Sequence, residues 1–382
     1  MVPIRIEQVT LREIRLPLRE PFAISSGTMD ERRILLLEIE DGDGNAVWSE
    51  CVAGSMPNYS PETIDTAWLA LGEWLLPLSL GRSVDAPGDV SKLFETSVKG
   101  HQMAKAAIEM AFWGLAAVRG GTSLAGLIGG TRTRVPTGIS IGIQESPAAL
   151  VEKAIGAVEA GYRKVKLKIR RGADLEYVAA VRAALGPDRD LAVDANAGYE
   201  IDDAPHLAEL DQFDLIMIEQ PLAAGDLIRH ARLQERLRTP ICLDESITDA
   251  ASVEDMLALG SGRIVNIKPG RVGGFGSSIA IHDIAEAGGV PVWCGGMLES
   301  GIGRAYNVAL ASLPNFLLPG DLSPSARYWE RDIVRPEWIM SEDGFVTVPS
   351  TPGLGVDIDL GRIDDLTVRT RTVAGAAAHA GR

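Results

Sequence analysis

The 382-residue sequence has few cysteines, no excess of basic residues and no long apolar run. Its three cysteines, Cys51, Cys242 and Cys294, lie far apart and form no CxxC pair, which argues against a disulfide framework and against a cysteine-ligated zinc site. The net charge of −15 argues against a nucleic-acid partner, because such a partner requires a basic surface. No apolar run approaches about 18 residues and no signal peptide is evident, so we expect a cytoplasmic protein that does not cross a membrane.

The proportions of hydrophobic residues (46%) and charged residues (23%) are those of a folded globular protein. The first part of the chain combines alternating patterns typical of antiparallel strands with longer helical patterns. The strand patterns lie near residues 4–17, 33–40 and 46–52, and the helical patterns near 61–80 and 90–119. We therefore predict an α+β domain over residues 1–130.

The next part of the chain consists of short apolar runs that alternate with helical segments. Eight runs recur about every 25 residues, at 135–143, 164–169, 190–196, 215–221, 240–246, 263–269, 290–296 and 316–321. This alternation indicates βαβ units, and eight of them favour a closed α/β barrel over an open doubly wound sheet. We assign residues 131–322 to the barrel. Residues 323–366 are expected to return to the first domain, and 367–382 to form a flexible tail.

Charged residues stand near the C-terminal ends of five successive predicted strands, at intervals of 24 to 26 residues. They are Lys168, Asp194, Glu219, Asp244 and Lys268. Barrel active sites are built at this end of the strands, so the three carboxylates are expected to converge. Each acid alone could equally cap the next helix, but the matching intervals favour one shared site. Oxygen ligands favour Mg2+ or Mn2+ over zinc, and the sequence therefore predicts a divalent cation there.

Two lysines share one face of the predicted strand KVKLKI (164–169), because alternate residues of a strand point the same way. On an exposed strand this face would simply be solvated, whereas in a barrel it points inward. Lys166 would then lower the pKa of Lys168 from about 10.4 towards the value of about 7–8 at which general bases work. Lys268 would lie across the barrel mouth, so a proton taken from the α-carbon of a bound carboxylate could be returned from the other side. This geometry predicts a racemase.

The motif set as a whole resembles the enolase superfamily. The matching segments are KLK (166–168), DAN (194–196), EQP (219–221), DES (244–246), NIKPGRVGG (266–274) and CGGMLESGIGRA (294–305). They are similar to the muconate-lactonizing subgroup and, within it, to the o-succinylbenzoate synthase/N-acylamino acid racemase family. The resemblance implies an α/β fold, a (β/α)7β TIM-type barrel with an α+β capping domain formed by the N-terminal part and the C-terminal segment.

The resemblance also implies functional residues. It places one Mg2+ (or Mn2+ or another divalent cation) on Asp194, Glu219 and Asp244, with Lys168 and Lys268 as the acid/base pair. Other residues would surround a small-molecule carboxylate substrate. They are Ser140 and Asn196 near its carboxylate, Gly296, Met297 and Leu298 along its acyl arm, and Phe22, Tyr59 and Tyr328 in its side-chain pocket. Core packing is the competing interpretation of the three aromatic residues.

Differences from the motifs of other branches of the superfamily reduce the number of reactions that the sequence supports. No histidine stands at the end of the seventh strand, where mandelate-racemase-like members carry one. The second acid of the Asp-x-Asp pair of dipeptide epimerases is replaced in Asp321-Leu322-Ser323, which favours a substrate with a blocked amine. Arg271, three residues after Lys268, resembles the arginine of members with racemase activity.

Several functions stay open at this stage. The first is metal-dependent racemisation of N-acyl, notably N-succinyl, amino acids. The second is o-succinylbenzoate synthesis, a syn dehydration in menaquinone synthesis, with Lys168 as base and Lys268 as a fixed cation. Muconate cycloisomerisation is more distant, and a metal-free aldolase would use Lys268 in a Schiff base. A non-catalytic barrel leaves Lys166 and Lys168 unexplained. The family further implies a homo-oligomer.

Overall fold

The structure, a computed structural model, describes residues 3–24 and 27–375, and the side chains of residues 22–28 lie outside this description. Its first domain is built on an antiparallel sheet. The strands are β1 (Ile4–Ile24), β2 (Gly27–Asp41), β3 (Ala46–Cys51) and β4 (Ser83–Val84). β2 lies between β1 and β3, and consecutive residues Ile34–Leu37 are buried on both of its faces. The sheet therefore has a covered layer on each side.

Helices follow this sheet. They are α1 (Ile64–Ala70), a π-helical turn (Leu71–Leu75), α2 (Leu76–Ser79), a 3-10 turn (Pro87–Asp89), α3 (Val90–Glu95), α4 (Gln102–Arg119) and α5 (Leu124–Leu127). The helical pattern predicted near 90–119 is interrupted, because Gly100 and His101 have φ values of 67° and 55°. The first segment, α3, already ends at Glu95, and the left-handed backbone at Gly100 and His101 prevents a continuous helix from running into α4.

Seven parallel strands form the curved sheet of the second domain. After β5 (Arg134–Pro136) they are β6 (Gly138–Ile141), β7 (Lys164–Lys168), β8 (Asp190–Asp194), β9 (Met217–Glu219), β10 (Ile241–Leu243), β11 (Ile264–Ile267) and β12 (Val292–Cys294). Residues 316–320 close the barrel as the eighth strand position. The Leu317 amide donates to the carbonyl of Val292 (3.1 Å), and the Gly138 amide donates to that of Gly320 (2.7 Å).

Helices connect the barrel strands, as expected for a (β/α)7β barrel. They are α6 (Pro147–Glu159), α7 (Leu175–Leu185), α8 (Ala204–Ala208), α9 (Leu227–Gln234), α10 (Ala250–Leu259), α11 (Pro269–Val272), α12 (Phe275–Ala287) and α13 (Gly301–Leu310), with 3-10 turns at Ile201–Asp203 and Glu209–Phe213. Side-chain oxygens of Ser146, Asp174, Asp226, Asp249 and Ser300 cap the first turns of α6, α7, α9, α10 and α13. Among the described residues, the structure contains no helix with the length and apolar character that a bilayer crossing requires.

The C-terminal part of the chain returns to the first domain. Its elements are a 3-10 turn (Ser325–Arg327), β13 (Val334–Arg335), β14 (Phe345–Thr347), β15 (Asp357–Ile358), α14 (Leu360–Leu366) and β16 (Thr367–Ala374). The prediction of a flexible tail from residue 367 is wrong for Thr367–Ala374, which pair with β1 as an edge strand of the first sheet. Arg369 and Arg371 hold this strand in place by ion pairs with Glu13 (2.5 Å) and Glu73 (2.6 Å).

Two buried glutamates of the first domain join it to the barrel. Glu50 on β3 accepts hydrogen bonds from the Ser300 amide (3.0 Å) and hydroxyl (2.6 Å) at the start of α13. Glu109 on α4 accepts from the amides of Phe275 (2.7 Å) and Gly276 (2.9 Å) at the start of α12. Both carboxylates satisfy helix N-termini that the domain contact removes from water.

We predict that Glu109 makes stability depend on pH. Burial raises the pKa of Glu109 to about 7, from 4.5 in the unfolded chain, despite hydrogen bonds that favour the ionised form. The native state therefore binds a proton that the unfolded state does not, and stability rises as the pH falls through this range. Glu109→Gln should remove about 2 kcal/mol of the stabilisation gained between pH 7 and pH 5, measured by urea unfolding. An unchanged gain, equal to that of the exposed control Glu254→Gln, would contradict this assignment.

Candidate active site

The five charged residues predicted at the strand ends lie at the C-terminal ends of five consecutive barrel strands. Lys168, Asp194 and Glu219 are the last residues of β7, β8 and β9, and the sheet register pairs Lys168 with Asp194 and Asp194 with Glu219. Asp244 directly follows β10, and Lys268 directly follows β11. The parallel register thus brings all five to the C-terminal mouth of the barrel.

Each of the three carboxylates forms a short ion pair with a lysine. The pairs are Asp194 Oδ2 with Lys168 Nζ (2.6 Å), Glu219 Oε2 with Lys166 Nζ (2.6 Å), and Asp244 Oδ2 with Lys268 Nζ (2.7 Å). The prediction that Lys166 and Lys168 point into the barrel is confirmed by these contacts. Charges so deeply buried are tolerated only when they are paired in this way.

The environments of two carboxylates shift their pKa values in opposite directions. Burial raises the pKa of Glu219, and the negative charge of Asp194 raises it further. Burial also opposes ionisation of Asp244, but the positive charges of Lys268 and Arg271 outweigh it and hold the Asp244 pKa below its usual range. The same Asp244 charge outweighs burial at Lys268, whose pKa lies well above its ordinary value.

The three carboxylates suit a hard divalent cation by their chemistry. All are buried, and each offers oxygen donors of the kind that Mg2+ prefers. Their oxygens do not all lie within 4.8 Å of one another, and each carboxylate contacts a lysine ammonium group. Movement of those flexible lysine side chains would leave the carboxylates free to share an ion.

A second acidic cluster, on α12, does meet this spacing among the described residues. It consists of His282, Asp283 and Glu286. His282 Nε2 accepts the Asn315 amide (3.0 Å), and its Nδ1 lies 2.8 Å from the Asp283 carboxylate. Both ring nitrogens of His282 thus have partners within the protein. We interpret the cluster as a contact between α12 and the loop that contains Asn315.

Tyr59 and Arg271 both act on Asp244. The Tyr59 hydroxyl donates to Asp244 Oδ1 (2.8 Å), and Arg271 Nη1 contacts the same oxygen. Arg271 Nε is fixed by the carbonyl of Ile247 (2.7 Å). The sequence predicts Tyr59 only as part of the pocket wall, and the structure shows that its hydroxyl also orients a carboxylate. Asp244 therefore receives three donors, from Lys268, Tyr59 and Arg271.

Gln220 and Glu245 are site residues that the sequence did not single out. Gln220 Oε1 accepts from the amides of Asp244 (3.0 Å) and Ser246 (3.2 Å), although its own φ is 37°. Glu245 receives a hydrogen bond from Asn196 (3.3 Å), and burial raises the pKa of its carboxyl to about 8. Both residues lie in motifs that the sequence analysis identified, EQP and DES. The local sequence pattern does not indicate that their side chains turn towards the next strand.

Three further polar residues contact or lie below the charged groups at the barrel mouth: Asp321, Lys164 and Asn266. Lys166 Nζ lies 3.0 Å from Asp321 Oδ2, and the fully buried Lys164 lies below it, with its Nζ 3.6 Å from the Trp293 ring centre. Asn266 donates to Glu219 Oε1 (2.8 Å). The period-2 rule could have found Lys164 and Asn266, which stand two residues before Lys166 and Lys268.

A cavity of about 210 Å3 opens beside these groups, between the barrel mouth and the first domain. It collects most of the residues expected around a substrate: Ser140, Lys166, Lys168, Asn196, Lys268, Gly296, Met297, Leu298, Tyr59 and Tyr328. Glu219, Asp244 and Arg271 are buried beside it. The side chain of Phe22 lies outside the described part of the chain. Further lining residues come from the first domain, among them Met29, Arg32, Val52 and Met56.

Both halves of the chain match known families. Residues 6–129 match the N-terminal domain of mandelate racemase/muconate lactonizing enzyme, and residues 149–362 match the family described as enolase C-terminal domain-like. The chain belongs to the enolase superfamily. An o-succinylbenzoate synthase from Geobacillus stearothermophilus is 46% identical over 364 residues, covering 95% of this chain and 96% of that protein. An N-succinylamino acid racemase from Amycolatopsis sp is 46% identical over 352 residues, covering 92% and 95%.

The structural comparison agrees with the sequence comparison. The crystal structure of an enolase-superfamily member from Listeria innocua superposes with a TM-score of 0.94 at 39% identity, covering 97% of this chain and 99% of that one. The expected barrel with a capping domain is therefore confirmed. This enolase-superfamily protein is an enzyme of the group that contains o-succinylbenzoate synthases and N-succinylamino acid racemases, and divalent-metal binding is typical of the family.

We predict that Gln220 is required for the stability of this enolase-superfamily enzyme. Gln220→Leu would leave the buried amides of Asp244 and Ser246 without an acceptor, and each such group costs about 1–3 kcal/mol. The free energy of unfolding should fall by about 2–4 kcal/mol in a urea titration. The exposed Gln212→Leu should change it by less than about 0.5 kcal/mol, and an equally small loss at Gln220 would refute the prediction.

Proposed function

We propose that this enzyme interconverts the enantiomers of N-succinyl amino acids by moving the proton on the carbon next to the substrate carboxylate. The observation that carries the proposal is the placement of Lys168 and Lys268. Both line one cavity, from β7 and from the end of β11, with β8, β9 and β10 between them. A proton removed on one face by one lysine can be returned on the other face by the second.

Asp194, Glu219 and Asp244 would hold one divalent ion, with Mg2+ preferred by their oxygen donors. When bound, the ion would neutralise the charge that develops on the substrate carboxylate as the proton leaves. Lys166 stays positively charged because Glu219 and Asp321 both contact its ammonium group. Lys166 and Lys168 lie on the same face of β7, two residues apart.

Asn196 orients the side chain of Lys168 by accepting a hydrogen bond from its ammonium group. Asn196 Oδ1 and Asp194 Oδ2 each lie 2.6 Å from Lys168 Nζ. The φ of Asn196 is 43°, a backbone conformation that asparagine adopts more readily than most residues and that turns the loop after β8 towards the cavity. Lys168 is thereby held at the cavity wall, where its side chain keeps 15% of its exposure.

The acidic residue after the eighth strand supports a substrate whose amine is acylated. Asp321 lies 3.0 Å from Lys166 Nζ and 3.9 Å from Lys164 Nζ, so its carboxylate already forms ion pairs inside the barrel. Ser323 takes the place of a second acid. A free substrate ammonium would therefore lack a carboxylate partner on this side of the cavity.

The second candidate function is o-succinylbenzoate synthesis, which the 46% identity to a synthase of that name favours. In that reaction Lys168 would remove the proton and Lys268 would act as a fixed cation. Only racemisation requires Lys268 to exchange protons, and this difference separates the two activities.

We predict that both lysines are needed for racemisation. With Mg2+ and N-succinyl-L-phenylalanine in D2O, NMR should show deuterium entering the α position while optical rotation decays. Lys168→Ala and Lys268→Ala should each reduce racemisation by at least about 100-fold, because each removes one of the two proton carriers. The exposed control Lys153→Ala should leave the rate unchanged. Racemisation at the normal rate in either active-site variant would rule out the two-lysine mechanism.

We predict that Arg271 affects the two activities unequally. Arg271 and Lys268 share Asp244, so Arg271→Met would leave the Asp244 charge to act on Lys268 alone and hold it more firmly protonated. Racemisation should fall at least about tenfold more than dehydration to o-succinylbenzoate, when kcat is compared for the same preparation. Equal losses in both reactions would contradict this role, and exposed Arg263→Met is the matched control.

A further inference from the structure

Arg32 is a buried guanidinium that has no acidic partner in the described part of the chain. It lies on β2 of the first domain, is 3% exposed and lines the active-site cavity. Among the described residues, no carboxylate oxygen lies within 4.0 Å of its nitrogens. Buried arginines are normally paired with an anion, so the missing partner of Arg32 requires an explanation.

The two nearby acids are engaged elsewhere. Burial lowers the pKa of Arg32, and the negative charges of Glu50 and Glu299 partly oppose this effect without contacting its guanidinium. Glu50 accepts its hydrogen bonds at the start of α13, as described above. Glu299 accepts from the Met297 amide (2.9 Å) and from the Asn307 side chain (2.8 Å). Neither carboxylate is free to neutralise Arg32 directly.

Some N–H groups of the Arg32 guanidinium have no hydrogen-bond acceptor among the described residues. Nη1 donates to the carbonyls of Ala53 (2.9 Å) and Arg33 (3.2 Å), and Nη2 donates to that of Val52 (2.7 Å). Nε is buried without a partner among the described residues. Two of the five N–H groups, one on Nε and one on Nη2, therefore have no acceptor among the described residues.

We propose that Arg32 binds a second carboxylate of the substrate and thereby selects dicarboxylates. This inference rests on the proposed function, in which the lysine-rich barrel mouth takes the first carboxylate. A succinyl group ends in a free carboxylate that can extend from the reacting carbon towards the first domain. Arginine binds carboxylates more strongly than neutral groups because its hydrogen bonds are then charge-assisted. An N-acetyl substrate has no group that could fill this place.

The alternative is that Arg32 only fixes the carbonyls of Val52 and Ala53 at the end of β3. That role would affect all substrates equally. A pair of substrates with nearly the same shape separates the two explanations: N-succinyl-L-phenylalanine and its neutral analogue, in which the terminal carboxylate is replaced by a carboxamide. The wild-type enzyme itself gives the first comparison, so this part of the test needs no variant.

The experiment measures kcat/KM for racemisation of both substrates by the wild type, Arg32→Met and Arg32→Lys, together with calorimetric binding in the presence of Mg2+. The wild type should favour the succinyl substrate by about 10- to 100-fold. Arg32→Met should abolish this preference through KM and change the carboxamide substrate by less than about threefold. Arg32→Lys should recover part of the preference, because lysine restores the charge but not the planar donor set.

The outcomes separate this proposal from the proposed function. Equal kcat/KM values for the two substrates in the wild type, or equal losses for both in Arg32→Met, would overturn the role of Arg32 while leaving racemisation intact. Calorimetric discrimination that depends on Arg32, without racemisation, would support the carboxylate subsite and overturn the proposed reaction. If Arg32→Met does not fold, the wild-type comparison and Arg32→Lys still decide the question.

Discussion

The structure depends on pairing buried carboxylates with buried cations at the mouth of the barrel. The parallel sheet places Asp194, Glu219 and Asp244 at the C-terminal ends of adjacent strands, where uncompensated negative charge would be strongly unfavourable. Lysines from β7 and from the end of β11 provide the compensation. In the proposed function the same groups would also supply the chemistry, with the three carboxylates as ligands of a divalent ion and Lys168 and Lys268 as proton carriers.

The first domain contributes more than a cover to this arrangement. Tyr59 reaches Asp244 from the capping side, and Glu50 and Glu109 fix the domain to the starts of two barrel helices. The cavity therefore has a charged floor built by the barrel and a mixed wall from the first domain, in which Arg32 and Glu62 lie among apolar residues such as Met29, Val52 and Met56.

The sequence predicts the barrel and its charged mouth because both follow from local regularities. The period-2 pattern of residues 164–168 and the regular intervals between strand ends need no tertiary knowledge. The partners of Arg32 and Gln220 depend on contacts between distant segments, which no periodicity reveals. The strand Thr367–Ala374 is hard to predict for a different reason: exposed and half-buried residues alternate along it, but most of them are polar, so it lacks the apolar alternation that marks a strand in a sequence. The break before α4 required two left-handed residues that helical propensity alone does not indicate.

The central claim is that Asp194, Glu219 and Asp244 form one divalent-cation site. Calorimetric titration of the metal-free protein with Mn2+ tests it most directly, with Glu219→Gln and Glu286→Gln as the paired variants. The account predicts one ion per chain, with binding lost in Glu219→Gln and retained in Glu286→Gln, whose side chain belongs to the cluster on α12. Binding that survives in Glu219→Gln and disappears in Glu286→Gln would contradict the account, as would no binding to the wild-type protein.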